Sequence, residues 1–199
     1  MLAFIFLFVS CVSNNESTYY KNLLKRYPRV FIDHFPKSIR KGRIHVTETG
    51  EYDVSRFFLI VDSIYNIQSL ANSLKTTTKV IYHSNDTCLF IVNKFTTEKN
   101  LTIDKKADKN DVKFYFNSKC LINKFPVPNF WGLYENPKTA CNLPEDFIIY
   151  VLDSKKGKFW DKNHRSNGIY MPEYWKHGYS KGVAINEKTQ EIIYWFVLW

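Results

Sequence analysis

The sequence predicts an α+β domain with a largely antiparallel sheet, about two helices and a C-terminal β-hairpin. Three observations carry that prediction. Apolar runs of strand length recur between clusters of turn-forming residues. Only two segments carry the three-to-four-residue spacing of a helix. The last residues, Ile192-Ile-Tyr-Trp-Phe-Val-Leu-Trp199, are apolar almost without alternation, as a strand covered on both faces must be.

Residues 18–27 are the first predicted helix. Ser17 or Thr18 can cap it, Tyr20, Leu23, Leu24 and Tyr27 share one face, and Pro28 follows. Residues 43–48 alternate like a strand, and 54–61 form a longer, more apolar one. Asp62-Ser63 is placed to cap a second helix whose stripe is Ile64, Ile67, Ala71 and Leu74. Residues 79–83 and 88–92 read as two strands joined by Ser84-Asn-Asp-Thr87. Residues 98–111 are polar and charged, hence a loop or an exposed hairpin tip, and 112–117 form a further strand. Phe125-Pro-Val-Pro-Asn129, Asn136-Pro137, Asn142 and Pro144 mark an irregular stretch before a buried strand over 147–152. Gly182 to Asn186, the turn Glu187–Gln190 and Glu191 to Trp199 close the chain as the hairpin. Trimming that end is expected to destroy the fold. The strand–helix–strand stretch 54–83 leaves open one parallel pairing.

With 45% hydrophobic and 17% aromatic residues the chain has the composition of a folding sequence and not of a disordered one. Its length beyond residue 17 fits one domain, 18–199, with no repeat and no credible linker. Residues 1–10 are apolar up to Ser10, too short to span a bilayer as a helix and of the length of a signal-peptide core. The only positive charge ahead of them is the terminal amine, which points to a true start a few codons upstream.

Phe8-Val9-Ser10-Cys11 resembles the lipobox of bacterial lipoproteins, with Phe8 where the pattern usually has Leu. The resemblance covers the first dozen residues and implies cleavage after Ser10, acyl chains on Cys11, a membrane anchor and residence in the cell envelope. It says nothing about the domain that follows, for which no family is identified. Residues 11–17 then form a tether. An ordinary cleaved signal that happens to contain a Cys is the plainer reading.

The net charge of +9 is uneven. Lys21, Lys25, Arg26, Arg29, Lys37, Arg40, Lys41 and Arg43 stand against a single acid, Asp33. Directly after an anchor, that segment is a candidate for facing an anionic membrane, the alternative being a solvated basic surface. Nucleic acid is not an expected partner of an exported protein. Setting Cys11 aside leaves Cys88, Cys120 and Cys141, which allow one disulfide and one free thiol or three reduced thiols. Cys120 to Cys141 would close a modest loop in an oxidising compartment, and pairings through Cys88 stay open.

Catalytic signatures are absent: no GxSxG, HExxH, P-loop or GxGxxG occurs. No metal or cofactor is expected, and no catalytic residue is assigned. Asp104, Asp108 and Asp111 lack calcium-loop spacing. His83 and Cys88 would face each other across a tight turn, where an imidazole could lower the thiol pKa or share a metal. The aromatic and basic stretch 158–181 offers Trp160, Tyr174, Trp175, His177 and Tyr179 as contacts for a glycan or an envelope protein. Its alternative role is to pin a long loop onto the sheet, and Trp131 faces the same choice. The function these features support is a non-catalytic interaction module at a membrane surface. A small envelope enzyme using His164, His177 and Asp161, or an immunity-type inhibitor, is the alternative.

Overall fold

The computed structural model describes residues 13–47, 54–62, 66–95, 115, 117–134, 138–159 and 171–199. Its centre is a six-stranded, wholly antiparallel sheet. The strands are β1 (Arg43–Thr47), β2 (Ser55–Asp62), β3 (Val80–His83), β4 (Ile148–Lys156), β5 (Gly178–Asn186) and β6 (Glu191–Leu198). Their spatial order is β1-β2-β6-β5-β4-β3. The closing hairpin, β5–β6, therefore forms the middle of the sheet, which is why its residues are apolar on both faces. Asn186 sets the turn, its Oδ1 accepting from the backbone N–H of Lys188 (3.0 Å) and Thr189 (3.2 Å).

The parallel pairing left open for 54–83 does not form. The chain leaves β2, passes through the helix α3 (Ile67–Thr77) and returns as β3 at the opposite edge, with three strands between. α3 begins later than expected: Asn66 Oδ1, and not Asp62 or Ser63, accepts from Ser69 N at 3.1 Å, and Asp62 still belongs to β2. Ile67, Ala71 and Leu74 are buried as the spacing requires; Ser63 and Ile64 lie outside the described residues.

One face of the sheet is covered by helices. α1 (Ser13–Leu24) starts five residues before the predicted helix, so the tether residues from Ser13 onward have helical backbone. Tyr20 and Leu23 are buried, and Tyr27, past the helix end, packs edge-on to Phe57 and Phe196 at 5.6 and 5.1 Å. Pro28 turns the chain into the single-turn α2 (Arg29–Ile32), whose Phe31 stacks on Phe196. With Phe35 and Ile39 this strap covers Phe57, Leu59, Tyr179, Phe196 and Leu198. α3 covers the rest of the same face, over Tyr150, Val183, Ile185 and Ile192.

The opposite face, with Phe58, Ile60, Ile149, Val151, Ile193, Trp195 and Val197, is covered by none of α1, α2 and α3. Irregular chain covers it through Leu89–Val92, Leu121, Val127, Phe130, Leu133, Leu143 and Trp175. Two indoles need room on β5. A Cβ at Gly182 would meet the Tyr150 carbonyl at 2.1 Å and Trp195 Cζ2 at 2.6 Å, and one at Gly178 would meet Trp199 Cζ2 at 2.9 Å. Trp199 is fully buried, exchanges both main-chain hydrogen bonds with Gly178 and donates Nε1–H to the Trp175 carbonyl at 2.6 Å.

The second strand of the predicted 79–92 hairpin does not exist. β3 pairs with β4 instead. After the turn at Asp86 the chain dives under the sheet, where Val92 N and Val127 N bond the carbonyls of Val127 and Phe90 around a parallel bridge Ile91–Val127. Leu89 to Val92 are all buried, so their apolar run reflects depth and not strand pairing. Tyr115 is not in a strand either; its hydroxyl donates to the Leu89 carbonyl and accepts from Ile91 N. The loop 98–111 lies outside the described residues.

The disulfide joins Cys88 to Cys120, 5.9 Å apart at Cα, and not Cys120 to Cys141. A 3-10 turn, Lys119–Leu121, inserts Leu121 into the core and leaves Cys120 at the surface beside Cys88. Cys141 points inward, its thiol directed at the Ser84 carbonyl 3.6 Å away, and burial pushes that thiol up from its usual pKa. One bridge and one free thiol is the arrangement among the three. No described helix is long and apolar enough to cross a membrane.

Candidate functional site

Of the aromatic residues predicted as a contact set, the described ones Trp175 and Tyr179 lie on opposite faces of the sheet. Trp175 is buried on the loop-covered face, packed against Phe90 and Trp199 at 6.1 and 5.8 Å. Tyr179 is buried on the other face, edge-on to Phe31, and its hydroxyl donates to Asp153. His177 is half-buried and its carbonyl accepts from Gly157 N. Only Tyr174 is well exposed, with the Lys156 ammonium 5.4 Å from its ring centre. Trp175 and Tyr179 thus pin their chain segments to the sheet. Trp160, His164 and Asp161 lie outside the described residues. The pairing of His83 with Cys88 is overturned, because Cys88 is spent in the disulfide. Among the described residues no three His, Cys, Asp or Glu side chains gather as a metal site would require.

The eight basic residues of the strap are all exposed. Arg43 pairs with the Glu191 carboxylate at 2.8 Å. Tyr19 and Val30, at 60% and 42% exposure, lie on the same strap, so its outer surface mixes cations with apolar groups. Asp33, the one acid, is half exposed and reaches towards the sheet. It receives the buried Lys181 ammonium at 2.5 Å, which also donates to the Val30 carbonyl at 2.8 Å. His34 completes the pin: its Nε2 lies 3.1 Å from both the Gly182 and Trp195 carbonyls and therefore carries the proton it donates to them.

A second constellation lies at the β1 edge of the sheet, in a cleft of about 310 Å³ lined by Ile44 to Thr47, Arg56 and the loop Trp131–Leu133. The loop is rigid for local reasons. Phe130 and Leu133 are buried anchors on either side, and Gly132 takes a left-handed conformation (φ 83°) that lets the chain turn between them. Asn129 is the hub beneath: its Oδ1 accepts from Trp131 N and Asn142 Nδ2, and its Nδ2 donates to the Asn93 carbonyl. Trp131, between two buried neighbours, is only half-buried. Its ring faces the Arg56 guanidinium at 5.9 Å, which donates to Thr47 Oγ1 and the Asn129 carbonyl. Burial, with the charges of Arg43 and Arg56, pushes the His45 imidazole below its usual pKa.

Trp131 was legible as a candidate in the sequence; Arg56, His45 and Thr47 were not. The available signal was Arg56 itself, the one charge inside the apolar strand 54–61. The chain matches no protein-family model, no curated protein and no solved structure.

Proposed function

We propose that this chain is an envelope lipoprotein: a non-catalytic interaction module held at a membrane surface by acyl chains on Cys11. The observation that carries this reading is the strap. α1 begins at Ser13, two residues beyond Cys11, and leads into the segment whose exposed surface bears Lys21, Lys25, Arg26, Arg29, Lys37, Arg40 and Lys41 together with Tyr19 and Val30. An anchor that close leaves the domain little freedom to move away from the bilayer. Each base near an anionic surface contributes up to about 1 kcal/mol, and exposed apolar groups suit the headgroup boundary.

The test is membrane fractionation followed by a high-salt wash. Wild type is expected to stay in the membrane fraction through the wash. Cys11→Ala should be exported but released by salt. Lys25→Glu/Arg26→Glu/Arg29→Glu should keep the anchor and lose the salt-sensitive binding of a Cys11→Ala background to vesicles containing anionic lipid. A Cys11→Ala protein that resists the wash would sink the lipid-anchor claim.

A further inference from the structure

β1 is an edge strand, and the cleft beside it has the shape of a missing neighbour. The cleft touches four residues in a row, Ile44 to Thr47, and reaches inward past them to Arg56 and Phe58 of β2, so it borders the edge and continues onto the loop-covered face. The inner edge of β1 is paired to β2; the outer main-chain groups of Ile44 to Thr47 have no hydrogen-bond partner among the described residues. The far wall is the loop Trp131–Leu133. Trp131 stands over Arg56, the partner of Thr47, and Tyr134, at the other end, donates to Glu191, the carboxylate that also holds Arg43. Proteins commonly protect a bare edge with charge. Here the edge is open while a rigid loop holds an aromatic ring beside it.

We propose that this groove binds an extended, acidic peptide segment of another envelope protein, which adds to the sheet as a seventh strand antiparallel or parallel to β1. Main-chain hydrogen bonds to the edge supply affinity, and alternate side chains meet Trp131 and the cations. Five residues of β1 offer a ladder for a segment of about five residues. Carboxylates are selected by the positive field of Arg56, which lines the cleft, and of Arg43, which lies on the strand and also holds Glu191. The same field disfavours a second copy, since pairing β1 with itself brings two cationic edges together. The inference names the partner surface of the interaction module proposed above but does not depend on the lipid: it concerns the far side of β1, and Cys11 fractionation reads out independently of it.

The experiment uses the full chain in detergent micelles and a blocked hexapeptide alternating glutamate with valine. Its companions are the lysine-for-glutamate version and two versions carrying backbone N-methyl groups on alternate residues, one for each parity. Binding is followed by amide and indole shifts in NMR spectra. The expected result is saturable movement of the β1 amides and the Trp131 indole, at least ten-fold tighter for the glutamate peptide than for the lysine one. N-methylation of one parity should abolish binding and of the other leave it, because only one edge of an added strand faces β1. Trp131→Ala should weaken binding several-fold with an unchanged thermal midpoint. Equal binding of both N-methylated peptides, equal binding of acidic and basic peptides, or shifts confined to other surfaces would each overturn strand addition. So would an oligosaccharide of glucuronic acid moving these amides when the peptide does not, which would assign the cleft to a glycan.

Discussion

The two faces of the sheet are covered by opposite means. On the helix-covered face, short elements with regular periodicity lay Tyr20, Leu23, Phe31, Ile67, Ala71 and Leu74 against the strands, and a Lys181–Asp33–His34 pin fixes the strap. On the loop-covered face, irregular chain does the same work through a disulfide, buried indoles and asparagine-centred turns. Helices satisfy their own backbone, so their cover needs only an apolar stripe. Irregular chain must place every buried N–H and C=O individually, and it depends on particular residues to do so. The loop-covered face should therefore be the less forgiving of the two.

The largest expected effect tests that directly. Trp195 is fully buried against Phe130 and lies across Gly182, and its Nε1–H has no acceptor among the described residues. Trp195→Ala should cost about 3–5 kcal/mol in urea unfolding, from lost burial and the cavity left over Gly182. Trp195→Phe, which also removes the unpaired donor, should cost clearly less. If Trp195→Phe costs as much as the alanine variant, shape and not burial is what the glycine gap selects. Next comes the staple. The bridge spans 32 residues of sequence, and closing a loop of that size stabilises by about 3–4 kcal/mol on the chain-entropy account. Cys88→Ser/Cys120→Ser should unfold at correspondingly lower urea and lose all sensitivity to reductant. Hydrogen exchange near Leu89 to Val92 should rise while the α1 and α3 amides stay protected, if the two faces are independent.

What the sequence made legible follows the same division. The stripe at Ile67, Ala71 and Leu74, the buried hairpin at 182–199 and the strands at 43–48 and 54–61 could be read because periodicity reports directly on which face is covered. The apolar run at Leu89–Val92 could not, since a buried crossing and a strand look alike in so short a window. Nor could the disulfide, because three cysteines allow three pairings and only the fold places Cys120 beside Cys88. At the candidate site Trp131 stood out by type. His45, Thr47 and Arg56 became a site only when β1 proved to be an edge and the 131–133 loop came to lie along it.

The smallest effect concerns the pin on the helix-covered face. The His34 ring, 3.7 Å away, and the Lys181 ammonium in direct contact hold the Asp33 carboxyl well below the usual carboxylate range, against the opposing effect of its partial burial. A carboxyl whose pKa is lower folded than unfolded stabilises the fold above the unfolded value and loses that contribution as pH falls through the folded one. The strap should therefore loosen only below about pH 4. Asp33 is half exposed, and solvent screens its pairing, so Asp33→Asn should cost only about 1 kcal/mol at neutral pH. The variant should also flatten the acid limb of the stability curve. Lys181 is the more sensitive partner, because it is buried and losing Asp33 leaves it the Val30 carbonyl. If Asp33→Asn leaves both the acid limb and the exchange of the Phe31 and Phe35 amides unchanged, the pin is dispensable and the apolar stripe alone holds the strap. The contrast between the two faces would then be sharper than the fold requires.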